Sequence, residues 1–335
     1  LVQRPPSNTI STPLTWFYFE DDRFTANNPL NNSALRPERT IDYEVGFQQK
    51  ISNSSALKIN AYYKELRDML QQQTFLFLPS PIGNYVTFGN QDFGTVKGFS
   101  FQYDLRRTGN TTMQANYTLQ FADGTGSNVN SQRGLTTRGN LRTLFPLDRD
   151  ERHAIKLTLD YRYGSGRTYN GPRLFDKDIL ADFGVNFQSF MVSGRPYTRR
   201  LRAEPFGGSG FLGSINGARK PWTFTIDMRM DKSFRIPTAN QDRPLFVNIS
   251  LRVLNLLNMK NVRNVYSVSG SPNDSGFLLS PDGQATLENV RSTGELILDA
   301  GRNEQAFVDA YTWLLESPFN FYSPRQIFLG ARFDF

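Results

Sequence analysis

The sequence of 335 residues contains no cysteine, a single histidine (His153) and no long apolar run. Without cysteine the chain cannot form disulfides, thiolate zinc sites or a cysteine nucleophile. One imidazole excludes a multi-histidine metal site within the chain and leaves one candidate histidine base. No stretch approaches the ~18 consecutive apolar residues of a membrane-spanning helix, so the sequence excludes a helical membrane protein.

Charge and hydropathy alone are typical of a mildly basic, water-soluble protein. The 38 Lys and Arg exceed the 31 Asp and Glu by 7, and the mean hydropathy is −0.48. The positive excess is spread over many polar positions rather than one stripe, which disfavours nucleic-acid binding. The chain opens with neither Met nor a signal-peptide pattern, so we expect it to begin after processing or within a larger protein.

Alternation of apolar and polar residues dominates the chain and predicts β-strands. In 153–163, for example, Leu157 and Leu159 share one face, whereas Lys156 and Thr158 share the other. The same alternation occurs in eight further segments: 41–48, 57–63, 85–106, 113–121, 183–190, 222–230, 245–253 and 327–335. We therefore predict an all-β fold of about nine antiparallel strands.

The strand pattern fits either a soluble β-sandwich or a transmembrane β-barrel. Many predicted strands reach ten residues or more, longer than the usual ~5–6. Aromatic residues collect near the ends of the apolar faces, as in the girdles of outer-membrane barrels. Connections alternate between short (51–55, 107–111, 236–243) and longer (73–84, 123–152, 194–221, 257–323), and the link 164–180 fits least well because it is long for a periplasmic turn. Short periplasmic turns and long extracellular loops produce this alternation, so the barrel is favoured.

One short helix is predicted inside the loop 257–323. Asn303 is a candidate N-cap, and Pro318 lies just beyond the predicted end. Apolar residues follow helical spacing at Phe307, Ala310, Tyr311 and Leu314. We expect this helix to pack the loop together, with docking of a partner as the alternative.

Short motifs on these strands resemble, in order and spacing, those of TonB-dependent outer-membrane receptors. They are Asn28-Pro29-Leu30, Leu35 to Thr40, Tyr43 to Phe47, Ala61 to Lys64, Val96 to Phe99, Ser193 to Thr198 and Asn255 to Asn258. The chain ends in aromatic Phe333 and Phe335, like the C-terminal signal of substrates of the barrel-assembly machinery. Phe121 to Ser127 and Asp148 to His153 look most like the Oar-like branch, whose members carry an N-terminal carboxypeptidase-regulatory-like domain.

The resemblance implies a bacterial outer-membrane barrel of about 22 strands. Such a barrel encloses an N-terminal plug and imports a ligand with energy from the TonB complex. This sequence contains neither a plug nor a TonB box, and an odd number of strands cannot close an antiparallel barrel. We therefore expect residues 1–335 to be the C-terminal part of the barrel. Within it, 1–38 is mostly an extracellular loop, and 39–335 holds strands and loops.

The densest basic cluster lies in a predicted extracellular loop and consists of Arg195, Arg199, Arg200 and Arg202. Guanidinium groups bind carboxylate or phosphate with two parallel hydrogen bonds, so the cluster is a candidate site for an anionic ligand. Contact with anionic lipopolysaccharide and plain solvation are the alternatives.

Three acidic residues, Asp148, Asp150 and Glu151, form a weak candidate Ca²⁺ site, although the Gly and final Glu of an EF-hand are missing. His153 beside them formally allows a Ser-His-Asp hydrolase, but the sequence has no G-x-S-x-G elbow. The glycine motif at 208–213 lacks the strand and helix of a dinucleotide site. We therefore expect no enzyme activity and no cofactor.

Three functions stay open at this point. The favoured one is ligand import through the outer membrane with the TonB complex, whose contacts are made by a plug outside this chain. The same barrel could instead be a docking platform, with 257–323 contacting a surface lipoprotein or a secreted partner. The third is a soluble extracellular binding module, which a requirement for detergent would exclude.

Overall fold

The computed structural model describes residues 2–3, 32–80, 83, 85–131, 143–236, 245–295 and 300–334. In this part of the chain, nine long strands follow one another as antiparallel neighbours in one sheet. They are β1 (Glu38–Lys50), β2 (Ser55–Phe75), β3 (Tyr85–Thr108), β4 (Thr111–Gly124), β5 (His153–Arg162), β6 (Phe183–Val192), β7 (Thr223–Ile236), β8 (Leu245–Leu254) and β9 (Gln326–Asp334). Each corresponds to a predicted segment, and the all-β antiparallel fold is confirmed.

Several short strands accompany the main sheet. Val2–Gln3 pairs with β1, and Phe145–Pro146 pairs with β4. Three small ladders lie in the connections: Arg173–Leu174 with Lys177–Asp178, Pro196–Tyr197 with Ala218–Arg219, and Arg202–Glu204 with Gly207–Ser209. The main sheet thus passes from strand to strand in chain order, as in a meander.

The sheet has one apolar and one polar face. The register places Val45, Ala61 and Phe99 side by side on the apolar face, which we call the outer face. Val45 is 72% exposed and Leu329 on β9 is 79% exposed. The opposite face, called the inner face, carries polar residues such as Arg229, which lies opposite Arg252. Apolar side chains exposed along a whole face require an apolar solvent, as for a barrel in a lipid bilayer.

The two ends of the sheet differ in their connections. At the turn end, residues 51–54 join β1 to β2, and residues 109–110 join β3 to β4. At the opposite end, called the loop end, the connections span 125–152, 193–222 and 255–325. The predicted alternation holds for these connections, but residues 163–182, which join β5 to β6 at the turn end, form a long link that departs from it.

Two α-helices lie in the described part of the chain, α1 (Pro281–Glu295) and α2 (Ala300–Leu315). The predicted helix is α2, but it begins at Ala300, so Asn303 lies inside it and the predicted N-cap is wrong. The sequence did not predict α1. The loop packs on a small core of Ala203, Phe277, Tyr311 and Leu315. Neither helix is long and apolar enough to cross a membrane.

Some predictions concern residues that the structure does not describe. They are most of the predicted loop 1–38, the motif Asn28-Pro29-Leu30, all but the first residue of the predicted turn 236–243, and Phe335.

Candidate ligand-binding site at the loop end

A short ladder at the loop end brings two basic residues together. Pro196–Tyr197 pairs with Ala218–Arg219, and the Lys220 amide continues the ladder by donating to the Arg195 carbonyl at 3.0 Å. Gly194 permits this approach, because a Cβ at that position would lie 1.6 Å from the Lys220 carbonyl oxygen. The glycine in the Ser193–Thr198 motif is therefore needed to set Arg195 opposite Lys220.

A third basic residue, Arg263, comes from the long loop after β8. The buried side chain of Asn261 accepts from the Phe224 amide at 2.8 Å and donates to the Phe224 carbonyl at 2.7 Å. The Arg263 amide donates to the Asn320 carbonyl at 2.8 Å. These backbone contacts hold the loop beside the start of β7 and place Arg263 near Lys220.

A cavity of about 220 Å³ lies between these three segments. Its lining includes Arg195, Lys220 and Arg263 together with Glu151 and Tyr322. The floor is formed by the inner face where β6 ends and β7 begins, at Val192, Thr223 and Thr225. The cavity therefore opens on the polar side of the sheet, at its loop end.

The electrostatics of this basic cavity favour an anion. Burial lowers the pKa of Lys220, and the nearby Arg195 and Arg263 lower it further. Its ammonium donates to the Arg263 carbonyl at 2.9 Å. Glu151 neutralises Arg195 in part, with Nε and Oε1 2.5 Å apart. Since the remaining cations repel each other, a bound carboxylate or phosphate would lower the electrostatic cost of the cluster.

The four predicted arginines do not converge on one point. Only Arg195 lines the basic cavity. Arg199 donates to the Val268 carbonyl at 3.4 Å, and the Arg200 guanidinium lies over the Phe211 ring, 4.6 Å from its centroid. Arg202 is exposed on the hairpin Arg202–Glu204. Of the four predicted arginines, Arg195 alone lies at the cavity, beside Lys220 and Arg263, which the sequence analysis did not single out.

The three acidic residues of the candidate calcium site bind three different partners. Asp150 is fully buried, accepts from the Ala122 amide at 3.0 Å and pairs with the Arg219 guanidinium. Asp148 accepts from the Asn216 amide group at 2.8 Å, and Glu151 pairs with Arg195. Within the described residues, no group of three His, Cys, Asp or Glu side chains is arranged to hold a metal ion. The arrangement ties the loop 125–152 to the loop 193–222.

The single histidine lies among aromatic rings. His153 stacks between Tyr117 and Trp222, with ring centroids 6.2 and 5.6 Å away, and its Nδ1 lies 2.9 Å from the Tyr117 hydroxyl. This stack is on the outer face at the loop end, where an outer-membrane barrel carries an aromatic girdle.

Polar and charged residues continue from the basic cavity along the inner face. Arg162 on β5 makes two hydrogen bonds to Asp231 on β7, of 3.0 and 2.8 Å. Arg229 and Asp231 also line a cavity of about 450 Å³ against this face. Ion pairs of this kind are expected on a wet lumen wall, where charges are tolerated.

Comparison with known proteins gives a family match. The model of the family described as TonB dependent receptor-like, beta-barrel matches residues 3–258, more than half of the chain. No curated protein sequence matches.

Several solved structures are similar to the chain. The ferric-catecholate import receptor Fiu from E. coli K12 is 15% identical with a TM-score of 0.44, covering 82% of this chain and 29% of Fiu. The outer membrane transporter YddB from Escherichia coli is 15% identical with a TM-score of 0.46, covering 70% of this chain and 31% of YddB. The copper transporter OprC is 14% identical with a TM-score of 0.43, covering 80% of this chain and 32% of OprC. The chain thus spans less than a third of the length of these proteins.

Proposed function

This chain belongs to the TonB-dependent receptor β-barrel family of bacterial outer-membrane proteins, and on that premise we propose that it takes part in the import of an anionic ligand. The observation that supports this proposal is the basic cavity of Arg195, Lys220 and Arg263. In an outer-membrane barrel the long loops face the outside. The cavity therefore lies where an external ligand first meets the polar inner face.

The mechanism that we propose has two steps. The ligand first binds with a carboxylate or phosphate between Lys220 and Arg263, since charge-assisted hydrogen bonds are the strongest available there. A plug outside this chain, coupled to the TonB complex, then opens a path along the polar inner face. Residues 1–335 supply the C-terminal strands of the barrel and the external loops. Binding and transport, rather than catalysis, are the proposed activity.

We also propose that the chain belongs to the Oar-like branch. The support is the resemblance of Phe121 to Ser127 and Asp148 to His153. Both stretches have structural roles at the loop end: Thr125 donates to buried Asp92, and Asp150 pairs with Arg219. An N-terminal carboxypeptidase-regulatory-like domain in the whole protein would follow from this assignment.

Docking of a surface lipoprotein is a second candidate role. One observation favours it: Trp313 on α2 and Phe319 just after it are 73% and 77% exposed, on the long connection 255–325 at the loop end. A platform of this kind would use the loop 255–325 rather than the basic cavity.

One experiment separates the two roles. Cells that carry the whole receptor are compared with cells that lack it, and mass spectrometry measures which compounds are depleted from the medium. We expect depletion of anionic compounds that requires an intact TonB protein. Lys220→Met should weaken it by about ten- to a hundredfold, because a charge-assisted hydrogen bond of roughly 1.5–3 kcal/mol is lost.

Two variants serve as controls. Arg202→Met removes a positive charge from the same loop region outside the cavity and should leave depletion unchanged. Trp313→Ser should also leave it unchanged if import does not depend on docking. Depletion that is insensitive to loss of TonB, or equal losses in Lys220→Met and Arg202→Met, would contradict the proposal.

A further inference from the structure

The long link between β5 and β6 contains a small hairpin at the turn end of the sheet. Arg173–Leu174 pairs there with Lys177–Asp178. An ion pair between Arg173 and Asp178, with Nε and Oδ1 2.9 Å apart, joins the two sides of this ladder. We call residues 173–178 the link hairpin. It is an ordered element that the two short turns of the same end do not have.

The tip of the link hairpin is apolar, and its backbone is unusual. Its two central residues, Phe175 and Asp176, have φ of 48° and 57°, as in a turn of type I′. Asparagine, aspartate and glycine are usual in such a turn, whereas a bulky aromatic residue rarely adopts a left-handed backbone. The Phe175 side chain is also 90% exposed, and Leu174 beside it is 55% exposed. Folding of the hairpin therefore gives no reason for phenylalanine at this position, whereas a surface that covers the ring would.

The link is attached to the outer face on both sides of its hairpin. Before the hairpin, buried Tyr169 packs on Tyr163, with ring centroids 5.9 Å apart, and Tyr163 packs edge-on against Tyr161 of the outer face. After the hairpin, the Ile179 carbonyl accepts a hydrogen bond from the ammonium of Lys232 on the outer face of β7. The link hairpin thus begins and ends on the side of the sheet that faces lipid.

Chain length keeps the tip close to the membrane boundary at this end. Ile179 is four positions after Phe175, and its carbonyl is held at Lys232. At no more than ~3.6 Å per residue, the tip lies within about 14 Å of that point. The turn end of an outer-membrane barrel lies at the periplasmic leaflet, and the polar region of a leaflet is roughly 5–8 Å thick. The acyl chains of this leaflet are therefore within reach of the Phe175 ring.

We propose that the link hairpin inserts Phe175 among the acyl chains of the periplasmic leaflet of the outer membrane. The apolar tip continues the lipid-facing outer face, to which the link is attached on both sides of the hairpin. Within the hairpin, two cations (Arg173 and Lys177) balance two anions (Asp176 and Asp178), so it offers apolar area rather than net charge. The hairpin is an interfacial anchor of the barrel, and its role is independent of ligand import.

Photolabelling of the whole receptor in lipid vesicles tests this insertion. The vesicles contain phosphatidylethanolamine and phosphatidylglycerol, with a trace of a phospholipid that carries a diazirine on its acyl chain. After illumination, mass spectrometry measures the lipid adducts on residues 173–180. We expect adducts on this segment in wild type and about tenfold fewer in Phe175→Asn, because the burial of a phenylalanine ring in lipid is lost. Phe175→Leu should retain most of them.

A stability measurement separates insertion from a structural role of the ring. Asparagine suits a turn of type I′ better than phenylalanine. The thermal midpoint of Phe175→Asn in detergent should therefore be no lower than that of wild type, although its lipid adducts are lost. A lower midpoint together with unchanged adducts would show that the ring stabilises the fold and does not enter lipid.

Phe77 provides the matched control. It lies at the loop end, in the connection between β2 and β3, with φ of 61° and 97% exposure. Phe77→Asn makes the same change at the opposite end of the sheet, so adducts on residues 173–180 should be unchanged. Absence of these adducts in wild type, or equal adducts in wild type and Phe175→Asn, would overturn the proposal. A photoreactive amino acid at position 175 that cross-links in cells to a periplasmic protein, and not to lipid, would overturn it as well.

Discussion

Asp92 lies in the loop-end half of β3, and its carboxyl group is buried away from water. It accepts a hydrogen bond from the Thr125 hydroxyl at 2.8 Å, and the Cβ of any residue replacing Gly126 would touch it. Burial raises the pKa of Asp92 to about 6, an effect that the Thr125 hydrogen bond opposes and the negative charge of Glu38 reinforces. The start of the loop 125–152 thus packs on a group that titrates near neutral pH.

This raised pKa predicts that the contact is more stable in mild acid. A carboxyl with a higher pKa in the folded state contributes stability below its unfolded value near 3.8, and that stability is lost as the pH rises through about 6. Amide exchange at Thr125 and Gln72, which donate to Phe93 and Val129, reports on this packing. After correction for intrinsic rates, exchange should be roughly tenfold slower at pH 5 than at pH 7.

Asp92→Asn is the control for this pH dependence. The amide keeps the size of the side chain and does not titrate, so the difference between pH 5 and pH 7 should disappear at Thr125 and Gln72. An unchanged difference in the variant would assign the effect to another group, with Glu38 the nearest candidate.

The basic cavity shows what residue-scale sequence analysis can and cannot find. Arg195 was among the predicted residues because it belongs to a dense local cluster. Lys220 and Arg263 lie 25 and 68 positions further along the chain. They reach Arg195 through a two-residue ladder and the side chain of Asn261. Neither contact produces a periodic pattern, so no spacing in the sequence indicated it.

At the scale of elements, β5 tests the assignment of the two faces. Leu157 lies opposite Ala115 and Ser189 on the outer face, whereas Thr158 lies opposite Gln114 and Gln188 on the inner face. If residue 157 lies near the membrane midplane, Leu157→Arg should therefore lower the stability of the folded barrel by about 2–4 kcal/mol. The folded fraction, measured by heat-modifiable gel mobility after expression of the whole receptor, should fall sharply.

Thr158→Arg is the matched change one residue away. It adds the same side chain to a wall that already carries Lys156 and Arg162, so the folded fraction should stay near that of wild type. Equal effects of the two substitutions would mean that the faces are wrongly assigned.

Strands and helices were predictable where apolar residues recur with a period of two or of 3.6 residues. All nine long strands were found, because a lipid-facing side and a wet side impose alternation along the whole strand. The extension of β2 to Phe75 was missed, since Gln71, Gln72 and Gln73 break the alternation and are buried as polar residues. Helix α1 was missed because Pro281–Glu295 is mostly polar and carries no apolar stripe.

At the scale of the whole molecule, the two faces of the sheet differ in polarity and its two ends differ in their connections. The outer face is mostly apolar on all nine strands and the inner face is mostly polar. The loop end carries the basic cavity and the two helices. A barrel wall between lipid and a water-filled lumen needs one apolar and one polar face. Each strand meets this need by alternating apolar and polar residues. This is why a low mean hydropathy was compatible with a membrane protein. The mean combines the apolar residues of the outer face with the polar residues of the inner face, so the apolar residues do not raise it.

The two faces of the terminal strand β9 allow a test of the predicted signal for barrel assembly. Phe333 is on the outer face opposite Val247 and is 61% exposed, whereas Phe328 is on the inner face opposite Arg252. If the outward aromatic is a signal for the barrel-assembly machinery, Phe333→Ala should reduce the rate at which the whole receptor appears folded in the outer membrane several-fold. Phe328→Ala should not, and both variants should refold equally well in detergent without the machinery. A rate that falls equally for both phenylalanines in cells would show that β9 contributes only packing, and not a signal.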